Sequence, residues 1–269
     1  MRLFKNARCS RIAATAALTL CVGAGLALAL PYIKGAISSN ELAQYRAGEP
    51  AQDAENTIFS ITDKQNPETP EHEDKPTRNS LLNIDWNGLT SINPAVIGWI
   101  YVPGSNIDHA IVQANENNPQ YYLSHDVFKR ESLYGCPYLD ADSHEEGGLK
   151  APFPIIYGHH LINGQMFSDF AKYSNPEYAE SHSKIIIETP EESINLKVIA
   201  VNVVNANKEL LQTRFQSSED LSSYMNARLA ESEVILDTPP DNFYEQVFCF
   251  VTCSYGSENE RTLVYAVPQ

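Results

Sequence analysis

The feature that most restricts the fold of this chain is a succession of short apolar, strand-like runs cut by turn chemistry. They fall at 97–102, 107–113, 136–140, 153–157, 184–188, 194–204, 246–253 and 261–267. Pro103-Gly104-Ser105-Asn106 and Pro190-Glu191-Glu192-Ser193 stand between such runs and supply residues that favour tight connections. Two intervals carry helical spacing: 165–173, with Met166, Phe167 and Phe170 on one side, and 217–229, with Leu221, Tyr224, Met225 and Leu229 on one side. Many short strands and few helices predict a mainly antiparallel sheet that closes on itself or folds into a sandwich. There is no βαβ rhythm, no Gly-rich phosphate loop and no internal repeat.

Ahead of these runs, residues 12–30 form a stretch of 19 without a charge, rich in Ala, Leu and Val. That length crosses a hydrocarbon layer as a helix. Arg2, Lys5, Arg8 and Arg11 precede it, which predicts a cytoplasmic N-terminus, one crossing and a body on the outer face of the cell membrane. The alternative is a cleaved signal peptide, since Ala27-Leu28-Ala29 fits the small-x-small pattern before a cut. Three regions follow: a tail and membrane segment over 1–33, a polar stalk with Pro50, Pro67, Pro70 and Pro76 over 34–78, with a short helix over 37–47, and one folded domain over 79–269. The chain carries a net charge of −15, and without the four N-terminal cations the rest stands at −19. A phosphate backbone would be repelled by such a surface, so nucleic acid is not an expected partner.

Five cysteines make no paired framework. Cys9 and Cys21 belong to the tail and membrane segment, which leaves Cys136, Cys249 and Cys253 outside. Cys249 and Cys253 lie four apart in an expected strand, a Cα separation of about 13 Å and too long for a disulfide. At least one external thiol is therefore free. It is either a small buried hydrophobe or a nucleophile.

The C-terminal stretch reads strand, turn-rich loop, strand. If the strands at 247–253 and 261–267 pair as a hairpin, Cys253 and Arg261 flank the loop, with Cα atoms about 5 Å apart when directly opposite. A fixed guanidinium beside a thiol suits acyl transfer, because attack on a carbonyl builds negative charge on oxygen. The plainer alternative is an Arg261 paired with Glu258 or Glu260. Upstream, the apolar run 154–157 breaks at Gly158 directly before His159 and His160, and a histidine just past a strand end stands at a loop mouth. His109, His125, His144 and His182 read as structural or solvated. Neither His-Glu-x-x-His nor Cys-x-x-Cys occurs, so no metal site and no cofactor are expected.

Thr252-Cys253, Arg261 eight residues on, and Tyr157-Gly158-His159 together resemble the sortases. The segments Asn93-Pro94-Ala95-Val96-Ile97-Gly98-Trp99, Tyr122-Leu123, Tyr138-Leu139-Asp140 and Asn163-Gly164-Gln165-Met166-Phe167 are similar to class B of that family, over about residues 80–269. One departure is Val251, where class B members often carry Ser or another polar group. The resemblance implies an eight-stranded barrel with N-terminal helices and a helix in the long connection before the cysteine strand. It implies Cys253 as nucleophile, His159 as acid and base, Arg261 as stabiliser of the oxyanion, and His160 as a bystander. Substrate contacts would come from Thr252, Val251, Tyr122 and Leu123. The implied reaction cleaves a C-terminal sorting motif of a secreted protein through a thioacyl intermediate. The acyl group then passes to an amine of a peptidoglycan precursor or, in a pilin-building variant, to a pilin lysine. A plain cysteine hydrolase and an inactive membrane-tethered binding protein are the readings from other classes.

Overall fold

Residues 30–47, 82–208, 211–253 and 259–269 are described by a computed structural model. Eight strands close into a barrel: β3 (Val96–Tyr101), β4 (Asp108–Gln113), β5 (Tyr138–Leu139), β6 (Ile155–Tyr157), β7 (Lys184–Glu188), β8 (Ser193–Asn205), β10 (Phe248–Cys253) and β11 (Glu260–Pro268). The order round the ring is β11-β10-β6-β5-β4-β3-β7-β8, and pairing of β8 with β11 completes it. β9 (Val234–Ile235) continues the edge of β8 beyond β7. All eight runs expected from sequence are strands of this ring. Pairing is antiparallel except between β4 and β5 and between β6 and β10, each of which joins strands far apart in sequence.

Alternation sorts the side chains into an inner and an outer set. Ile100, Ile111, Leu139, Ile156, Phe248, Phe250, Val264 and Leu196 fill the interior. A 3-10 helix, Ser168–Ser174, sends Phe170 and Tyr173 into the same core, and the Phe170 ring stacks on Phe250 at 5.1 Å. The long β8 bends round the ring at a register shift, where Tyr265 faces Ala200 but Ala266 faces Val198.

Two groups of helices cover the outer wall. α5 (Ser218–Leu229) starts where the Ser217 side chain accepts from the Asp220 backbone N–H, has Glu219 and Asp220 in its first turn and Arg228 in its last, and buries Leu221, Met225 and Leu229. It packs over Phe153, Ile155, Cys249, Val251 and Tyr265. The opposite group comprises α1 (30–43) and α2 (Trp86–Ile92), the latter capped by Asp85. α3 (Ala141–Glu145) and α4 (Pro176–Ser181) are short helices opened by Asp140 and Asn175.

Residues 34–47, which sequence alone assigned to a stalk, pack on this body. Gly35, Ser38 and Leu42 are the buried face of α1, and the Ser38 hydroxyl donates to Asp126 at 2.8 Å. β1 (Arg46–Ala47) then pairs with β2 (Asn83–Ile84), and Arg46 meets Asp108 at 2.8 Å. The remainder of the assigned stalk, and residues 1–29 with most of the apolar stretch, lie outside the described residues. No helix among the described residues is long and apolar enough to cross a membrane.

His109, on β4, is buried beneath α1, where it lines a cavity of about 230 Å³ with Ser39, Leu42 and Ala43. Burial pushes its pKa down to about 4, against the opposing pull of the Met166 and Asn106 backbone. The unfolded chain takes up this proton near 6.5, so between pH 7 and pH 4 unfolding gains protons and stability falls as pH drops, by up to about 3 kcal/mol. Urea midpoints at pH 7 and 4.5 should converge in a His109→Gln variant. An unchanged slope in that variant would show that His109 is not the titrating group.

Candidate active site

β10 carries Phe248, Phe250 and Thr252 inward, so Cys249, Val251 and Cys253 face outward. On that face α5 covers Cys249 completely, and desolvation drives its thiol pKa far up. Cys136 is buried as well, held towards the Ala110 carbonyl at 3.6 Å, and its thiol is pushed far up by burial and then by Asp126. Cys253, at the strand end, is the half-buried one of the three free thiols in the body. Period two places Cys249 and Cys253 on one wall, and the reach of α5 decides which is inert.

Arg261, second residue of β11, lies directly opposite Cys253 in the antiparallel register, also outward. Its Nη1 donates to the Glu260 carbonyl at 2.9 Å. On the other side of β10 runs β6, in parallel, with Tyr157 beside Val251. The Gly158 N–H donates to the Val251 carbonyl at 3.1 Å, so the chain leaves this strand for His159 at the barrel end where Cys253 lies. Glycine is needed at 158 because a Cβ there would stand 2.4 Å from the Phe167 ring.

The imidazole of His159 is fixed by its Nε2, 2.7 Å from the Leu123 carbonyl. A carbonyl only accepts, so Nε2 carries the proton and Nδ1 of the neutral ring is free to take one. His160 is anchored too: its Nδ1 lies 2.8 Å from the carbonyl of Cys253 and so donates to it. The ring expected to be a bystander thus holds the end of the cysteine strand. A sequence contains no signal for a contact to a backbone oxygen 93 residues away.

Two tyrosines complete the wall. Tyr138 and Tyr157 are register partners on β5 and β6, with rings stacked at 5.3 Å. Tyr138 has its pKa raised to about 12, by burial first, then by Asp140 and by Cys253. The proton stays on that phenol at neutral pH. Of the remaining expected contacts, Val251, Thr252 and Tyr122 have buried side chains, and the Tyr122 hydroxyl accepts from Asn93 at 3.0 Å. Leu123 is half-buried and enters the site through its carbonyl. Among the described residues no group of three or more His, Cys, Asp or Glu is placed to hold a metal.

No protein-family model matches the chain. It is 23% identical over 183 residues to sortase B of Listeria monocytogenes, across 68% of this chain and 72% of that protein. The X-ray structure of Clostridium perfringens sortase B superposes with a TM-score of 0.60 at 25% identity, over 68% of this chain and 98% of the other. The chain is similar to the sortases and most like their class B. A Staphylococcus aureus sortase B–substrate complex matches the fold with a TM-score of 0.59 at 20% identity, over 68% of this chain and 83% of that one. The relatives of this chain are sortase B enzymes, and on the same eight-stranded barrel it sets Cys253 opposite Arg261 on β10 and β11, with His159 just past the end of β6 on the other side of β10.

Proposed function

We propose that this chain, anchored in the membrane by residues 12–30, cleaves a C-terminal sorting motif of a secreted protein and joins the new acyl end to an amine of the cell wall. The Cys253 thiolate attacks the scissile carbonyl carbon, and Arg261 holds the oxyanion that develops. His159 passes a proton to the departing amine as the C–N bond breaks, leaving a thioacyl-enzyme. An incoming amine then attacks the thioester carbonyl, its proton goes to His159, and the Cys253 thiolate departs. Amine capture separates this cycle from simple hydrolysis.

The observation that carries the reading is the register of β10 against β11, with Cys253 facing Arg261 on the outer wall beside β6, the strand that leads into His159. Further support comes from the Leu123 carbonyl, which fixes the tautomer that leaves Nδ1 of His159 for proton exchange. A structural relative is a sortase B–substrate complex, which favours a peptide substrate for this chain as well.

Incubation of the enzyme with a sorting-motif peptide should yield a thioester adduct on Cys253, visible by mass spectrometry. Added triglycine or diaminopimelate peptide should then divert product from free acid to amide. Acid in unchanged proportion at every amine concentration would make the chain a hydrolase and end the transpeptidase reading.

A further inference from the structure

The N-terminal half of α1 is apolar on its outside. Gly35, Ser38 and Leu42 face the barrel, while Leu30, Ile33 and Ile37 recur at helical spacing on the opposite side and are 47%, 48% and 51% exposed. Farther along, that outer side turns polar at Asn40 and Gln44. Tyr32, also exposed, sets its ring edge against Tyr134 at 6.5 Å. Tyr134 is the hub of this corner. Its ring packs on Gly35, where a Cβ would stand 2.2 Å away, and its hydroxyl accepts from the Asn163 side chain. Beside these two residues project Leu133, 54% exposed, and Ile162, 88% exposed. Six of the nine exposed large apolar side chains among the described residues therefore lie on α1 or next in sequence to Tyr134 and Asn163, which link α1 to the loop after His159.

Chain length says what covers this corner. The segment 12–30 ends where the described part of α1 begins, the charge-free run continues through Ile33 into that helix, and the first residue seated on the barrel is Gly35. Five residues of helix span about 8 Å. The polar segment 48–81 adds no reach, because it leaves from β1 and returns to β2, which pair with each other. A run that crosses the bilayer therefore leaves the body no room to stand away from it.

We propose that Leu30, Tyr32, Ile33, Ile37, Leu133 and Ile162 seat the body on the bilayer surface, which holds the His159 side of the cleft at the lipid interface. The proposal rests on the reading of residues 12–30 as membrane-crossing. An apolar face of this kind sinks into the boundary between headgroups and acyl chains. A polypeptide substrate would reach Cys253 within the interfacial zone, and cutting the patch back would leave the chemistry intact while tilting the cleft.

The test uses the full chain in phosphatidylglycerol-containing vesicles, with Ile162→Trp read by quenching from lipids brominated high on the acyl chain. Ile162→Trp should lose about half of its added emission, the depth of an interfacial face bringing it within reach of the bromines. Phe243→Trp, exposed beside α5 on the opposite wall, should lose almost none. Equal quenching at the two positions overturns the proposal. So does an Ile162→Trp emission that shifts to the blue only at high protein-to-lipid ratio without quenching, which assigns the patch to a second copy. Release of the chain by alkaline carbonate overturns both the seat and the membrane anchor. Retention without quenching overturns the seat alone, and adduct formation on Cys253, measured in the same samples, reports the catalytic reading separately.

Discussion

Cys253→Ala is expected to abolish the thioacyl adduct and to lower transpeptidation by at least about 10³-fold, because no other group in the cleft can form the covalent intermediate. Cys249 and Cys136 cannot substitute. Both are buried, and desolvation keeps their thiols protonated far above working pH. Cys249→Ala should cost about 1 kcal/mol through the space it leaves under α5 and leave turnover per folded molecule unchanged. Arg261→Lys keeps the charge but loses the planar fork, and a lost oxyanion donor typically lowers kcat by about 10²–10³-fold. Adduct mass spectrometry and amine-dependent product release, normalised to folded protein, check all three. Full activity in Cys253→Ala would sink the mechanism, and full activity in Arg261→Lys would remove the guanidinium from it.

How far these residues were legible follows from the range of the forces that place them. The barrel strands announced themselves because each buries one face or both, and burial writes apolar runs into the sequence. β9, with two residues, Val234 and Ile235, carries no such pattern, and neither do the two residues each of β1 and β2. α4 had its signal in Asn175-Pro176, a capping residue followed by a proline at the first helical position, but its six residues offer little periodicity. The seat of α1 was hidden for another reason: its buried stripe is Gly35, Ser38 and Leu42, only one of them a large hydrophobe. At the site, alternation puts Cys249 and Cys253 on the same face, but only the tertiary placement of α5 separates a packed thiol from an available one. The contacts that fix His159 and His160 end on backbone carbonyls, which every residue has and no sequence distinguishes.

Those carbonyl contacts make Gly135→Ala the most damaging small change expected at the site outside the thiol and guanidinium. Gly135 has φ +61°, and a Cβ there would stand 2.4 Å from the Tyr122 carbonyl and 3.1 Å from both the Leu123 carbonyl and His159 Cδ2. An L-residue in the left-handed region costs about 1 kcal/mol, and forcing apart packed backbone adds about 1–3 kcal/mol. The methyl would wedge between the imidazole and the oxygen that holds it, while the Tyr122 carbonyl, which accepts from the Cys136 N–H, cannot retreat without breaking that bond. His159 should then lose its fixed tautomer, and a displacement near 1 Å lowers rate by about 10²-fold. The signature is a fall in kcat/KM per folded molecule, with an altered pH profile on the limb that reports the imidazole. A variant that loses only stability, with kcat/KM and pH profile of its folded fraction unchanged, would show that the Leu123 carbonyl does not position His159.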